Sequence, residues 1–460
     1  MPEPINRQRM PEQPPQDRIK NFSEVALGFD DKSAKTEADR CLNCKNARCV
    51  QGCPVGTNIP LFIDLIKKNK TIDAYLEIIK NNHLPGICGR VCPQEEQCEK
   101  LCVRNNPKAG GAVAIGALER YAADFAAKNG LIADAPVQKN NFKIAVVGSG
   151  PASLTVAAEL AAYGCEVTVF EAFHKPGGVL VYGIPEFRLP KALVQSEIDA
   201  LIRLGVKIET NIVIGKTLLL EDLSDEFDAV FIGTGAGLPL FLNIKGENLN
   251  GVYSANEFLT RVNLMKAYDI DSATPVFVGR KVAVVGAGNV AMDAARTALR
   301  LGAGEVSIVY RRSREEMPAR RDEINNAEEE GIIFKLLTAP VEIIGESGKV
   351  TGMQCIEMQL GNPDEKGRRR PIPIPDSEYI LDCDEVIIAL GTSPNPIIKN
   401  SSSFLKFNPH GTIAVNEAFE TSKEYIYAAG DAVTGAATVI LAMGNGKTAA
   451  QAIIKKLSGK

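Results

Sequence analysis

The fold of this 460-residue chain is constrained most strongly by two glycine-rich segments. Each of them lies between a short apolar run and a helical pattern. The first unit covers residues 143–171 and the second covers residues 281–312. In such a strand–loop–helix unit, the first glycine permits a tight turn and the second lets the backbone approach a pyrophosphate. The phosphate then binds at the N-terminus of the helix. The sequence therefore predicts two nucleotide-binding units built on parallel sheets.

The first unit has Gly148 and Gly150 in its loop, Ser153 at the small-residue position, and Glu171 at the end of its second strand. A carboxylate at that end is placed to hydrogen-bond ribose hydroxyls. Gly- and Pro-rich stretches near residues 178 and 183 indicate backbone folded around a planar ligand, and residues 430–438 are predicted to return to the same ligand. The candidate cofactor residues of this unit are Gly148, Gly150, Pro151, Ala152, Ser153, Glu171, Gly178, Gly183, Gly430, Asp431 and Thr438.

The second unit ends its second strand in Arg311-Arg312 instead of an acid. An acid would repel a 2′-phosphate there, whereas two guanidinium groups would bind one, so the pair favours NADP(H) over NAD(H). The alternative is a solvated basic turn. Arg314 and Arg320 lie nearby in sequence and are candidates for the same basic pocket, while the charge run at 366–370 is predicted to be a solvated hairpin tip. The candidate residues of this site are Gly286, Gly288, Asn289, Val290, Ala291, Arg311, Arg312 and Gly391.

Eight of the eleven cysteines lie between residues 41 and 102. They form two groups, Cys41, Cys44, Cys49 and Cys53 followed by Cys88, Cys92, Cys98 and Cys102. Close spacing lets one loop present several thiolates to an iron–sulfur cluster, and a fourth Cys followed by Pro, as at Cys53-Pro54, sends a ligand to a different cluster in bacterial ferredoxins. Zinc is the main alternative, but structural zinc sites usually come as two separated ligand pairs. Helices predicted at 59–68, 71–82 and 112–127 would pack around such clusters.

The overall charge and composition are those of an ordinary globular protein of two or three domains. A net charge of −4 gives no electrostatic argument for nucleic acid or an anionic membrane. Neither a signal peptide nor a membrane-spanning run is recognisable, so we expect a cytoplasmic protein, in which clustered cysteines favour metal or redox chemistry over disulfides. Residues 1–20 are expected to form a flexible or surface arm.

The chain resembles, over essentially its whole length, the small (β) subunit family of NADPH-dependent glutamate synthase. This family includes the large subunit of electron-bifurcating NADH-dependent ferredoxin:NADP⁺ oxidoreductases, and the N-terminal domain of dihydropyrimidine dehydrogenase is related to it. The motifs that carry the resemblance, besides the paired cysteine groups, are Cys88-Gly-Arg-Val-Cys92-Pro-Gln, Gly148-Ser-Gly-Pro-Ala, Gly183-Ile-Pro, Val309-Tyr-Arg-Arg312, Met317-Pro and Ala429-Gly430-Asp431.

The resemblance implies an α/β protein with an N-terminal α-helical domain that holds two [4Fe–4S] clusters. Two Rossmann-like nucleotide-binding domains of disulfide-reductase type follow, the second inserted in the first. The implied boundaries are 1–140 for the cluster domain, 141–275 with 380–460 for the FAD domain, and 276–379 for the NADPH domain. The implied ligands are Cys41, Cys44, Cys49 and Cys102 for cluster 1, and Cys53, Cys92, Cys98 and Glu119 for cluster 2, with Cys88 unligated.

The implied function is that of an NADP(H)-dependent oxidoreductase subunit. Hydride would pass between NADPH and FAD, and single electrons would pass through the clusters to or from a partner, with no acid–base catalyst required. The expected partner is a second redox subunit in a hetero-oligomer, either a glutamate synthase large subunit or an NADH-oxidising flavin subunit that works with ferredoxin in electron bifurcation. A non-enzymatic electron-transfer scaffold is a further alternative. A disulfide reductase is disfavoured, because Cys165, Cys355 and Cys383 form no Cys-x-x-Cys pair.

Overall fold

The structure, a computed structural model, describes residues 6–131, 138–363 and 367–459. Its N-terminal part is helical, with α1 Pro15–Arg18, α2 Asp31–Ala38, α3 Arg48–Gln51, α4 Ile59–Lys67, α5 Thr71–Ile79, α6 Pro85–Val91 and α7 Ile115–Lys128. Short 3₁₀ turns lie at Gln94–Glu96 and Pro107–Ala109. Helix α4 forms because Ile59, Phe62, Ile63 and Ile66 recur at helical spacing and are all buried. The three predicted helices are therefore confirmed.

The first nucleotide-binding sheet begins directly after this domain. Its elements are β1 Lys143–Val147, α8 Pro151–Tyr163, β2 Glu166–Phe170, α9 Val179–Tyr182, α10 Lys191–Arg203, β3 Lys207–Glu209, α11 Leu220–Glu226, β4 Ala229–Ile232 and β5 Leu238–Pro239. Strand β1 is buried from Ile144 to Val147, as expected for a parallel strand covered by helices on both faces.

The second sheet is built from the next stretch of chain. Its elements are β6 Val252–Ser254, α12 Ala255–Asn263, β7 Lys281–Val285, α13 Asn289–Arg300, β8 Glu305–Tyr310, α14 Arg321–Glu329, β9 Ile333–Leu336, β10 Thr338–Glu346, β11 Lys349–Pro363, β12 Arg369–Pro373, β13 Tyr379–Leu381 and β14 Glu385–Ile388, with a 3₁₀ turn at Arg314–Glu316. The order β6-β14-β7-β8-β9 is parallel throughout, and β10–β13 form an antiparallel appendage.

The chain then returns to the first sheet through β15 Thr392–Ser393, α15 Ile397–Ser401, β16 Ile426–Ala428, α16 Asp431–Thr434 and α17 Val439–Ser458. Strand β16 pairs with β4 and completes the parallel order β16-β4-β1-β2-β3. The outgoing β5 and the returning β15 pair antiparallel, so both connections between the two domains run side by side. The predicted fold class, with one nucleotide domain inserted in another, is confirmed.

Strand pairing extends the inserted domain beyond both predicted boundaries. Strand β6 precedes residue 276 and β14 follows residue 379, yet both hydrogen-bond within the second sheet. The predicted range of 276–379 for the inserted domain was too narrow. Strand β6 was missed because it has only three residues and carries no glycine-rich loop. Strand β14 was misassigned because its short apolar run is like that of the strands in the first sheet.

Buried polar contacts join the three domains. Arg18 of the N-terminal arm is 1% exposed and donates to Glu330 and Asn326 of the second nucleotide domain, at 2.8 and 2.7 Å. Arg188 of the first nucleotide domain donates to Asp293 of the second at 2.7 Å. The other described residues of 6–20 are exposed or half-buried, in agreement with the predicted surface arm, and Arg18 anchors this arm to the second nucleotide domain. In the part of the chain that the structure describes, no helix is long and apolar enough to cross a membrane.

Candidate functional site

Cys41, Cys44, Cys49 and Cys102, the four predicted ligands of cluster 1, line one cavity, the first cysteine cavity. It contains about 410 Å³ of space, some of it open to solvent, and its walls include Ile59, Ile63, Val113 and Ile115. Burial and the neighbouring Cys102 raise the pKa of Cys49 to about 11. Four thiolates in an apolar cavity need a compensating positive centre, which a bound metal cluster would supply.

The second cysteine cavity is lined by Cys53, Cys92, Cys98 and Glu119, the four predicted ligands of cluster 2. Cys53 follows α3, Cys92 ends α6, and Glu119 lies on the first half of α7, so three separate elements meet at this cavity. Burial raises the pKa of Glu119 to about 7. Asn82 donates to its Oε1 at 2.8 Å and thereby orients the carboxylate.

Gln94 also lines the second cavity, but its amide is engaged elsewhere. Its Nε2 donates to the Cys88 carbonyl at 3.3 Å, and its Oε1 accepts from Arg320 at 3.0 Å. Gln94 is therefore a poorer candidate ligand than Glu119, whose Oε2 accepts no hydrogen bond from the described residues.

Cys88 lines neither of these cavities. Its Sγ lies 3.6 Å from Asn82 Oδ1 and 3.5 Å from Met443 Sδ, in the core that joins the cysteine domain to the first sheet. In the described residues, no three His, Cys, Asp or Glu side chains are close enough to hold a single metal ion. A cubane bonds each ligand to a different iron, so its ligands stand further apart than those of one zinc ion. Each cavity is lined by four donors of the kinds that could hold a four-iron cluster.

The first nucleotide loop is formed by close backbone approaches at the C-terminal edge of the first sheet. Gly148 has φ +89°, and a Cβ there would lie 2.7 Å from the Gly233 carbonyl. A Cβ on Gly178 would lie 2.9 Å from Gly150 Cα, whereas one on Gly150 would meet nothing within 4 Å. The space beside Gly150 is therefore open for a phosphate to approach. The N-terminus of α8, formed by Pro151, Ala152 and Ser153, points to this space.

The other predicted residues of this site converge on the same edge. Glu171 Oε2 accepts from both the amide and the hydroxyl of Ser149, while its Oε1 accepts from the Phe173 amide at 2.8 Å and keeps a lone pair for a ribose hydroxyl. Gly430 packs on Ala152, and burial raises the pKa of Asp431 to about 6. The side chain of Thr438 caps α17. Gly183 is the exception, since it ends α9 and its carbonyl accepts from Asn263 of α12.

The second nucleotide loop repeats this arrangement. Gly286 has φ +133° and a Cβ there would clash with the Ala389 carbonyl, while Gly288 caps α13, which starts with Asn289, Val290 and Ala291. Asn289 Oδ1 accepts from the Arg320 amide at 2.9 Å. Gly391 has φ +99° and open space around its α-carbon, beyond the end of β14. These residues form a loop able to hold a pyrophosphate.

Of the arginines near this loop, Arg311 and Arg312 keep guanidinium groups available for an anion. Arg311 is exposed, and the contact that Arg312 makes with the described residues is through its Nε, which donates to the Arg369 carbonyl at 2.9 Å. Arg314 instead pairs with Glu328, and Arg320 reaches Gln94 of the cysteine domain. The hypothesis that Arg314 and Arg320 belong to the same basic pocket is therefore wrong.

Sequence reasoning missed two residues that support these sites. Asn82 orients Glu119, and Lys447 of α17 donates to the Val55 and Asn81 carbonyls at 3.1 Å, which ties the loop after Cys53 to the first nucleotide domain. Neither residue stands in a motif. Only knowledge of the three-dimensional contacts could have singled them out.

Comparison with known proteins agrees with this division of the chain. Residues 18–131 match the family described as dihydropyrimidine dehydrogenase domain II, 4Fe-4S cluster, and residues 142–451 match pyridine nucleotide-disulphide oxidoreductase. A solved structure of Mycobacterium tuberculosis FprA in complex with NADPH is 21% identical and has a TM-score of 0.59. It covers 70% of this chain and 85% of FprA, and it supports the fold of the nucleotide domains.

Two curated relatives are similar over most of the chain. The glutamate synthase [NADPH] small chain of Halomonas elongata is 36% identical over 98% of this chain and 97% of its own length. The NADP(+)-dependent formate dehydrogenase subunit beta of Moorella thermoacetica is 38% identical over 88% of this chain and 59% of its own length. Both are subunits of larger enzymes. The chain therefore belongs to the glutamate synthase small-chain family of NADPH-dependent oxidoreductases, which combine a 4Fe-4S domain with FAD- and NADP-binding domains.

Proposed function

We propose that this chain moves electrons between NADPH, held at the second nucleotide loop, and a partner subunit, by way of FAD and two [4Fe–4S] clusters. Bound FAD supplies the conversion between a hydride and single electrons, and the clusters carry single electrons. The observation that carries the proposal is that two separate cavities contain the two predicted ligand sets, seven cysteines and Glu119, beside two nucleotide loops.

The protein side chains would fix the order of the redox groups. Ile440 of α17 lines the second cysteine cavity, and the N-cap of α17 is Thr438, a candidate FAD residue. A Cβ on Gly444 would lie 2.8 Å from the Pro54 carbonyl, so α17 lies directly against the loop that follows Cys53. We infer that the second cavity is the one nearer FAD, and that the first cavity is the more distant step.

The first cysteine cavity has the features of an exit to a partner. Leu42 and Val103 line it and are 59% and 49% exposed, which is unusual for apolar side chains beside a buried group. Residues 40–63 and 100–118 contain no Asp or Glu, although the chain as a whole carries a net charge of −4. These segments carry Lys45, Arg48, Arg104 and Lys108, whereas Arg40 is buried against Glu37 and Lys100 pairs with Glu96. We infer that the partner subunit docks here.

The preferred partner is a glutamate synthase large subunit. The glutamate synthase small chain is similar to 98% of this chain, whereas the formate dehydrogenase subunit is similar to 88% of it. Electron bifurcation with an NADH-oxidising subunit and ferredoxin remains the rival partnership.

The first experiment uses the isolated holoprotein without oxygen. NADPH is expected to bleach the bound flavin, and iron analysis is expected to give about eight irons per chain. The Arg311→Glu/Arg312→Glu variant is expected to bind NADPH at least about 100-fold more weakly, because two charge-assisted contacts become repulsive. Equal flavin reduction by NADH and NADPH in the unmodified protein would refute the 2′-phosphate assignment, and about four irons would refute the two-cluster assignment.

The second experiment decides between the partners. Glutamine-dependent glutamate formation from 2-oxoglutarate is expected when candidate large subunits, drawn from neighbouring genes, are added with NADPH. Ferredoxin reduction that requires NADH and a flavin subunit, without glutamate formation, would identify the bifurcating partnership instead.

A further inference from the structure

We propose that Arg369, on the β11–β12 hairpin, is a positioning residue for NADP selectivity, because it clamps the loop 311–316 and holds Arg312 ready for the 2′-phosphate. The inference rests on the proposed function of the second nucleotide loop. The sequence pattern predicted a solvated hairpin tip at 366–370, and residues 364–366 lie outside the described part of the chain. The described residues that follow them show a different role for Arg369.

Arg369 contacts the loop through both its backbone and its side chain. Its carbonyl accepts from Arg312 Nε at 2.9 Å. Its Nε donates to Glu316 Oε1 at 2.5 Å, and its Nη2 donates to Ser313 Oγ at 3.2 Å. A guanidinium fork held at two points fixes the backbone that carries it, so the carbonyl that receives Arg312 is fixed as well.

Glu316 is the anchor of this clamp. Its side chain is only 7% exposed, and its Oε2 accepts from the Ser313 amide at 3.2 Å and from the Ser313 hydroxyl at 2.6 Å. Tyr310, the last residue of β8, donates through its hydroxyl to the Glu316 carbonyl at 2.7 Å. The loop therefore closes on itself around one carboxylate, and Arg369 supplies the opposite charge.

The clamp also changes the charge that an approaching phosphate meets. The loop contains Glu315 and Glu316, either of which would repel a 2′-phosphate. Arg369 pairs with both, at 2.8 and 2.5 Å, while Arg314 turns away to Glu328. Among the described residues, Arg311 and the two Nη groups of Arg312 have no protein partner, so the loop keeps its positive charge where the phosphate would bind.

The geometry of the hairpin places Arg369 against this loop. Arg369 is the first residue of β12 and pairs with Pro363, the last residue of β11. The strand register shifts between Leu360 and Pro363. A shift of this kind re-aims the end of a hairpin. The Arg369 side chain accordingly contacts the 311–316 loop and is 36% exposed, whereas Arg370 is exposed.

The test compares Arg369→Ala with Arg370→Ala as a matched control, using NADPH- and NADH-dependent reduction of ferricyanide by the holoprotein. Arg369→Ala is expected to raise KM for NADPH about tenfold, the effect of one lost charge-assisted contact, with kcat unchanged and KM for NADH changed less than about twofold. Arg370→Ala is expected to leave all of these values as they are. Arg369→Lys should restore part of the selectivity.

A double-mutant cycle separates positioning from direct binding. If Arg369 acts in part through Arg312, then Arg369→Ala costs less in the Arg312→Ala background than it does alone. Equal rises in KM for both nucleotides, full additivity with Arg312→Ala, or an unchanged NADPH preference in Arg369→Ala would each overturn the inference. If Arg311 and Arg312 variants themselves leave the NADPH preference unchanged, the proposed function of this loop fails instead.

Discussion

Replacing Glu330 by Gln is expected to destabilise the chain more than removing its partner Arg18. Glu330 is 5% exposed and accepts from Arg18, Arg296 and Arg300 at 2.7–3.0 Å. Burial alone would raise its pKa, but Arg300 and Arg296 outweigh burial and hold the pKa at about 2, against an ordinary 4.5. That lowering corresponds to about 3 kcal/mol of stabilisation at neutral pH. Loss of the carboxylate leaves three buried guanidinium groups without the negative charge that they share, a loss of about 3–5 kcal/mol.

Arg18→Met is expected to cost less, about 1–3 kcal/mol, because Glu330 keeps its two other arginines and no buried charge is left alone. Urea unfolding at pH 7 measures both free energies. The stabilisation that Glu330 contributes depends on its lowered pKa. It is therefore complete above about pH 4.5, falls to about 1 kcal/mol at pH 3 and decreases further towards pH 2. Arg18→Met would refute this reasoning if it lowered the free energy of unfolding by as much as Glu330→Gln does, or by more. A difference in unfolding free energy between the two variants that did not change with pH would refute it as well.

Two further predictions concern the cysteine domain. Cys88→Ser is expected to keep about eight irons per chain, whereas Cys92→Ser should lose or convert one cluster. Iron analysis and EPR measure both outcomes. Similar losses of iron in the two variants would contradict the ligand assignment. Gly89→Ala is expected to lower the free energy of unfolding by more than about 2 kcal/mol, because its Cβ would lie 2.6 Å from the Arg120 backbone nitrogen. Gly352→Ala, whose nearest neighbour would be 3.4 Å away, should change it by less than about 1 kcal/mol in the same urea titration.

The sequence was most informative where local chemistry is specific. A glycine loop must follow a buried strand and precede a helix, so Gly148 and Gly286 could be placed without a structure. The cysteine spacing indicated metal ligands. The family resemblance supplied the division of these ligands into two sets, and it placed Glu119 in the same set as Cys53. The structure brings those sets into two cavities, as the resemblance implies.

The sequence was least informative where a side chain acts across domains. Arg18 and Glu330 are 312 residues apart, and Arg312 and Arg369 are 57 apart, with no local pattern that links the members of either pair. An arginine in a polar N-terminal segment looks solvated until the acidic site that buries it is known. The boundaries of the inserted domain were misjudged for a similar reason, since only strand pairing assigns β6 and β14 to the second sheet.

Buried polar contacts, in addition to the two covalent connections, hold the second nucleotide domain in position. The paired β5 and β15, with two residues each, could act as a hinge between the domains. Rotation about it would have to break Arg188–Asp293, which joins the two nucleotide domains, and Arg18–Glu330 and Arg320–Gln94, which join the second domain to the cysteine domain. Buried ion pairs often add little net stability, but separating them exposes uncompensated charge, so they favour one arrangement strongly over others. This network thereby holds the two nucleotide loops and the cysteine cavities in one relative orientation.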